Sequence, residues 1–467
     1  MKESSFSGQG KRFNGAGFLC YNYYRTNSMG NGETNVRWRG KTVRLASVMA
    51  ASLAIWVAVM TLGATNALAV GYDNRPSTDN SLGLQVKSAI LIEADSGQVL
   101  YEVNPDEPLP IASMTKLMTE YIVMEEITNG RLNWEDIVTV TEEAAKTLPS
   151  ESQIYLAAGD KHSVRDLYIA MAVGSANDAT KALAIEVAGS IQAFVDKMNE
   201  TAKELGLESA VFTSTTGLED TTVMSARDVA KLSRIILQKH PNFLEFSSIQ
   251  DYKFRERDKD PMINFNFMLG TNVNKSGFKD IAYEGVDGLK TGFIEKAGYN
   301  FAGTVKRGDL RFISVVMDTR SKNARFFETA TLYNYAFGTF EKKTVVPPKT
   351  VVETLETVKI KKGVQKTIPV VTDKDITFMV RKGVEPKIEL TSHEITPEDQ
   401  LVAPLEAGTK VGTVTYTYTD EETGQELDYT VNLITAEKAE KAGWFKLFFR
   451  AIGDFFSNLF DSILNLF

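Results

Sequence analysis

Cysteine is almost absent: Cys20 is the only one in 467 residues. An intramolecular disulfide and any multi-cysteine zinc or iron–sulfur centre are therefore excluded. Histidine is nearly as scarce. His162, His240 and His393 lie far apart and no H-E-x-x-H occurs, which excludes a zincin protease. Excess positive charge is lacking too. The chain carries a net −8, and residues 1–69 alone hold a net +6, so the remainder stands at −14. Phosphate neutralisation needs a basic face, so nucleic acid is not an expected partner. What is present is ordinary globular composition, 43% hydrophobic and 24% charged, at a length that suits two or three domains.

The two chain ends differ. Arg37, Arg39, Lys41 and Arg44 precede an uncharged stretch from Leu45 to Tyr72, with the apolar core LASVMAASLAIWVAVMTL and the ending Ala67-Leu68-Ala69. Basic residues, an apolar run and an A-x-A ending make residues 1–69 an N-terminal extension and cleavable secretory signal, with Met29 placed for a shorter start. An uncleaved signal anchor is the alternative, since the apolar stretch could span a bilayer. After cleavage no cysteine remains, which suits an envelope protein without disulfides. At the other end, residues 444–467 place eight Phe or Trp within an i, i+3, i+4 pattern. Lys446, Arg450, Asp454 and Asp461 fall on the opposite face and interrupt any spanning run. Residues 436–467 are expected to end in an amphipathic helix lying in a membrane interface. Docking on the protein's own core or on a partner is the alternative.

Between the ends, residues 70–84 are polar and read as a linker. KSAILIEADSGQVLYEV then signals a β-hairpin turning at Asp95-Ser96-Gly97, and GYNFAGTVKRGDLRFISVVMD a second one turning at Arg307-Gly308-Asp309. Helical patterns cover 111–128, 164–187, 190–205 and 321–338. Strands at both ends with helices between predict one α+β domain over 85–342. Past Pro347 and Pro348 the sequence turns to short strands, so residues 343–435 are expected to form a small all-β domain.

Three short motifs carry chemistry. Ser113-Met114-Thr115-Lys116 opens a helical pattern, and positions i and i+3 share a face, so the Lys116 amine can reach the Ser113 hydroxyl. A serine is a weak nucleophile until a neighbour takes its proton, and a lysine can do so if burial or a nearby cation lowers its pKa. A second S-x-x-K, Ser276-Gly277-Phe278-Lys279, lies in a polar, glycine-containing stretch; the helical setting favours the first copy. Ser175-Ala176-Asn177 follows an apolar helical run and could hang a hydroxyl and an amide over a pocket, or form a plain polar turn. Lys290-Thr291-Gly292 precedes the GYNFAGTV strand and is expected to open or form an edge strand. A cation, a hydroxyl and a residue without a side chain there would suit a carboxylate ligand laid along that strand. No metal or cofactor is implied.

The order S-x-x-K, S-x-N, K-T-G, with 62 and then 115 residues between first positions, resembles the penicillin-binding protein and serine β-lactamase superfamily. PIASMTKLMT, GSANDA, MSARDVA and VDGLKTGF…AGYNFAGT resemble its D-alanyl-D-alanine carboxypeptidases, the low-molecular-mass penicillin-binding proteins, from about residue 85 to the C-terminus. The resemblance implies an α+β penicillin-binding-protein/β-lactamase-like transpeptidase domain, then a small all-β domain and an amphipathic anchor. It implies a serine peptidase that removes the terminal D-alanine from peptidoglycan stem pentapeptides at the outer face of the bacterial cytoplasmic membrane and is inhibited by β-lactams. Ser113 would attack, Lys116 would take its proton, and Ser175 would relay a proton to the leaving amine. Asn177 would contact the substrate amide, Lys290 would tune the proton network, and Thr291 and Gly292 would line the carboxylate site. The N–H groups of Ser113 and Phe293 would form the oxyanion hole. Arg325, at the family's spacing, would grip the terminal carboxylate. Two departures stand out. Ile294 replaces the hydroxyl residue often found two places after the K-T-G glycine, and FTSTTGLEDTTVMSARD lacks the Asn and His often seen around its Gly-Leu. The latter segment reads as lying away from the three motifs.

A class A β-lactamase is disfavoured: no Glu between 178 and 290 is followed four residues later by Asn. A D,D-transpeptidase is another reading, though such proteins usually carry their extra domain on the N-terminal side. A membrane-tethered β-lactam sensor or scaffold that acylates without turnover is the third.

Overall fold

The computed structural model describes residues 80–420, 424 and 426–464. The expected signal segment 1–69 and residues 70–79 of the expected linker lie outside these. Residues 80–84 are pinned rather than loose. The Asn80 side chain brackets Leu84 at both its N–H and its carbonyl, and Leu84 is buried in an apolar cluster with Tyr101.

The first domain is built on strands β1 (Ser88–Glu93) and β2 (Val99–Val103), then helices α1 (Lys116–Thr128), α2 (Val164–Gly174), α3 (Asn177–Ala188), α4 (Ile191–Glu204) and α5 (Ala226–Lys239). Strands β3 (Val286–Ile294), β4 (Gly298–Arg307) and β5 (Leu310–Thr319) follow, and α6 (Ala324–Thr339) closes it. The five strands make one antiparallel sheet in the order β2-β1-β5-β4-β3. Its centre is buried on both faces. In β1 every residue is buried, and the period-2 pleat sends Ile90 and Ile92 to one apolar cluster and Ala89 and Leu91 to the other. β5 divides the same way, with Ile313, Val315 and Met317 against Phe312 and Val316. Helices α1–α5 cover the first face, and α6 covers the second through Phe326, Leu332, Tyr333 and Ala336. Truncating Ile90 to Ala in so closed a core would cost about 2–5 kcal/mol.

One sequence expectation fails. The pattern over 164–187 is not a single helix: Ser175 takes a left-handed φ of 53° and Ala176 is extended, so α2 stops and α3 starts at Asn177. A left-handed C-cap turns the chain sharply, and hydrophobic periodicity does not register it because the buried face carries on through the polar Asn177 and Asp178.

The second domain begins directly after α6. Strand β6 (Phe340–Val346) is followed by β7 (Thr357–Lys359), β8 (Thr367–Thr372), β9 (Ile376–Arg381), β10 (Lys387–Ile395), β11 (Lys410–Thr419) and β12 (Glu426–Thr435). β6 pairs with β9, and the others form a sheet in the order β7-β8-β12-β11-β10 around a core that includes Val370, Val411, Val414 and Leu433. The Gln98 side chain clamps the two domains. It donates to the Met379 carbonyl and accepts from the Met379 N–H, each at 2.8 Å, replacing a missing strand neighbour.

Helix α7 (Trp444–Leu464) ends the described chain. Trp444, Phe445, Phe448, Phe449, Phe455 and Phe456 are each more than half exposed. Its one described tie to the β domain is Arg450, which donates to the carbonyls of Gly363 and Val364. Among the described residues, no helix is long and apolar enough to cross a membrane.

Candidate active site

Ser113 sits in a 3-10 turn, Ala112–Thr115, that runs into α1 at Lys116. The residue before it, Ala112, is fully buried with φ 48°, a left-handed conformation that costs a non-glycine residue about 1–2 kcal/mol. Such strain persists where the surroundings hold it and collects at functional sites. Here the Thr115 hydroxyl donates to the Ala112 carbonyl at 2.7 Å. Asn300 of β4 donates to the Pro110 carbonyl and accepts from the Asp318 N–H, tying the same segment to the sheet.

Two glycines permit this packing. A Cβ on Gly292 would lie 2.5 Å from the Ile111 carbonyl oxygen. The K-T-G glycine is thus what lets edge strand β3 close against the Ser113 turn. Gly217 has φ +75°, and a Cβ there would lie 2.0 Å from the Ala112 carbonyl oxygen. The segment around Gly217, expected to lie away from the motifs, in fact forms a wall of the site. Its contribution is a backbone carbonyl, which leaves no side-chain signature in the sequence.

Within this frame the three motifs converge. Lys116 Nζ lies 3.1 Å from Ser113 Oγ, 2.8 Å from Asn177 Oδ1 and 3.1 Å from the Thr216 carbonyl oxygen. Lys290 Nζ donates to Ser175 Oγ at 3.0 Å and to the Thr291 carbonyl at 3.1 Å. The left-handed turn at Ser175 makes the second contact possible, because it swings the hydroxyl off the end of α2 toward β3. Arg325, at the start of α6, donates through Nη1 to the carbonyls of Gly292 and Asn300, and its buried Nε has no hydrogen-bond partner among the described residues. Phe293 is exposed and stacks on Tyr299 with ring centroids 4.2 Å apart.

Asn177 has both ends of its amide engaged. Oδ1 accepts from Lys116 while Nδ2 donates to Glu151 at 2.9 Å. Its first role is to hold the lysine, and a substrate amide would have to share or displace Glu151. Sequence reasoning missed Glu151 and Thr216. Neither stands in a motif, and each is brought in by a loop from a distant part of the chain.

Lys116, Lys290 and Arg325 are all buried. Burial, reinforced by the charge of Lys290, holds the Lys116 amine well below its ordinary pKa. Burial also lowers Lys290, while Glu120 opposes the fall and Arg325 adds to it. Burial brings Arg325 down to about 10. The other S-x-x-K copy shows none of this: Ser276 and Lys279 are exposed, on either side of a turn with Gly277 at φ 88°.

Known proteins resemble this chain in sequence and fold. The family model for D-alanyl-D-alanine carboxypeptidases matches residues 75–321, and the model for the C-terminal domain of penicillin-binding protein 5 matches 340–441. The D-alanyl-D-alanine carboxypeptidase DacF of Bacillus subtilis is 33% identical over 377 residues, covering 80% of this chain and 91% of the relative. Penicillin binding protein 5 from Haemophilus influenzae has a similar structure, with a TM-score of 0.63 and 29% identity over 77% of this chain and 98% of that one. PBP3 from Streptococcus pneumoniae, titled a peptidoglycan synthesis regulatory factor, gives 0.65 and 30% over 76% and 100%. With the catalytic and C-terminal models matched in order, and similarity extending over most of both chains, this chain belongs to the D-alanyl-D-alanine carboxypeptidase family.

Proposed function

We propose that the protein is a serine D-Ala-D-Ala carboxypeptidase that removes the terminal D-alanine of peptidoglycan stem pentapeptides through an acyl-enzyme on Ser113. One observation carries the assignment of base and nucleophile. A neutral lysine amine has two N–H donors and one lone pair. With burial holding the amine well below its ordinary pKa, Asn177 Oδ1 and the Thr216 carbonyl accept the two N–H groups of its neutral form, and the lone pair then faces the Ser113 hydroxyl. Ser113 Oγ then attacks the scissile carbonyl as its proton passes to Lys116 Nζ. Charge develops on the carbonyl oxygen, which the N–H groups of Ser113 and Phe293 would receive. As the C–N bond breaks, the Ser175 hydroxyl, held in line by Lys290, relays to the leaving D-alanine nitrogen the proton that Lys116 took up, so that both side chains return to their starting forms. Water completes the cycle by hydrolysing the ester. Thr291 and Arg325 fit the terminal carboxylate, and Gly292 lets the strand that carries Thr291 close on the Ser113 turn.

A β-lactam would acylate Ser113 by the same attack, its carboxylate taking the place of the peptide's. The protein would act on the outer side of the cytoplasmic membrane, held there by α7. The exposed aromatic face of that helix supports this reading, since exposed clusters of this kind are rare unless something covers them. Arg450 is bound to β-domain carbonyls, so Lys441 and Lys446 are the basic residues left exposed beside the face. Release of free D-alanine from a synthetic pentapeptide is the test. Turnover supports the carboxypeptidase. Stoichiometric acylation without release would favour a sensor, and transfer to an added amine would favour a transpeptidase.

A further inference from the structure

One buried charge at the site has no part in the chemistry above. Glu120 lies one helical turn beyond Lys116 on α1 and is 1% exposed, yet neither of its carboxylate oxygens has a hydrogen-bond partner among the described residues. A carboxylate taken out of water in this way is very costly unless a cation offsets it. The cations acting on it are Lys290 from β3, then Lys116 from its own helix. From α2 it acts on Tyr168, whose buried hydroxyl is also unpartnered. The half-buried Glu151 and the outlying Lys181 act on Lys116 with opposite sign, and Arg325 acts on Lys290.

Charge balance then constrains the protons. The pocket buries three basic groups, Lys116, Lys290 and Arg325, and one carboxyl, Glu120, which burial raises to about 7 while Lys290 and then Lys116 pull it back toward its ionised form. A substrate brings one carboxylate, which Arg325 offsets. Glu120 can offset one lysine and not two. The low-energy arrangement has a single charged lysine, and Lys116, fully buried against the Ser113 hydroxyl and held well below its ordinary pKa by burial and by Lys290, is the one suited to neutrality. We propose that Glu120 is a positioning residue: the buried counter-ion that keeps the proton on Lys290 and so leaves Lys116 as the neutral base. This rests on the roles given to the two lysines under the proposed function.

The test is the pH profile of penicillin acylation, measured on the full mature chain. Acylation needs Lys116 neutral and Lys290 charged, so the rate is a bell in pH. Glu120→Gln removes an anion that favours the charged form of both lysines. Both limbs should therefore move to lower pH, by about one unit, with about a tenfold loss on the alkaline side. Glu120→Asp, which keeps the charge, should hold the wild-type bell, and Tyr168→Phe should not shift it. A Glu120→Gln bell that changes height while both limbs stay in place overturns the proposal. If that variant fails to fold, infrared spectra of wild-type protein carrying 13C-labelled glutamate decide instead. Glutamate carboxyls all ionised at the bell's maximum support the counter-ion, and one held protonated there contradicts it. Wild-type protein that does not acylate at Ser113 would defeat the underlying reading of the site, whereas normal acylation with an unmoved Glu120→Gln bell defeats this proposal alone.

Discussion

The chain spells S-x-x-K twice, and the two copies have opposite fates. At 113–116 the serine sits in a strained, buried turn and the lysine is surrounded by acceptors; at 276–279 both side chains lie in solvent around a glycine turn. The i, i+3 spacing is shared, so spacing alone does not make a nucleophile. What differs is the surroundings. Burial lowers the amine, the carbonyl of Thr216 and the amide of Asn177 consume its donors, and Gly292 and Gly217 let two other chain segments close around it.

The comparison breaks most completely at the serines. Ser113→Ala should abolish covalent labelling by a fluorescent penicillin, and Ser276→Ala should leave it intact. Labelling that survives in the first variant, or is lost in the second, reverses the choice between the copies. A smaller effect separates them by their neighbours, since the first copy has a buried guanidinium at its strand and the second has none. Arg325→Ala removes a charge-assisted hydrogen bond, worth about 1.5–3 kcal/mol, or roughly ten- to hundredfold in kcat/KM. The loss should shrink for a peptide with an amidated C-terminus; equal losses on both peptides would remove Arg325 from carboxylate recognition. The smallest kinetic effect concerns a region that contributes nothing to either copy. A mature chain truncated after Gly443, which keeps the segment 436–442 paired to the β domain, should hydrolyse small peptides at the wild-type rate while no longer sedimenting with washed membranes. N-terminal sequencing must first establish that the signal segment has been removed. A cleaved, truncated chain that still sediments would make a partner protein, not α7, the anchor.

These contrasts show what the sequence does and does not reveal. That Ser113, both lysines, Ser175 and Asn177 belong together was legible because side-chain chemistry at fixed spacing survives in the text, and the structure brings them together. The sheet was legible because strand patterns at both ends of the domain need each other to cover apolar faces, and the K-T-G strand indeed lies at the sheet's edge. The break at Ser175 was legible only as a possible polar turn, because a left-handed φ has no signature in hydrophobic periodicity. The segment around Gly217 was misjudged because what it supplies is a carbonyl and an absent Cβ, neither of which has a one-letter signature. Glu120 was passed over for a different reason. On a helix a glutamate reads as solvated, and only the packing of α2 and β3 around α1 removes it from water.

At the centre of the account is a lysine whose amine burial holds well below its ordinary pKa. The pH dependence of wild-type acylation by a penicillin tests it most directly. With Lys116 held well below its ordinary pKa and Lys290 required in its charged form, the rate should climb, level off and fall again within a bell whose acidic limb lies well below pH 10. The two limbs would belong to the lysine pair rather than to either residue alone. A rate that keeps rising through pH 10, as an ordinary exposed lysine would give, contradicts the account.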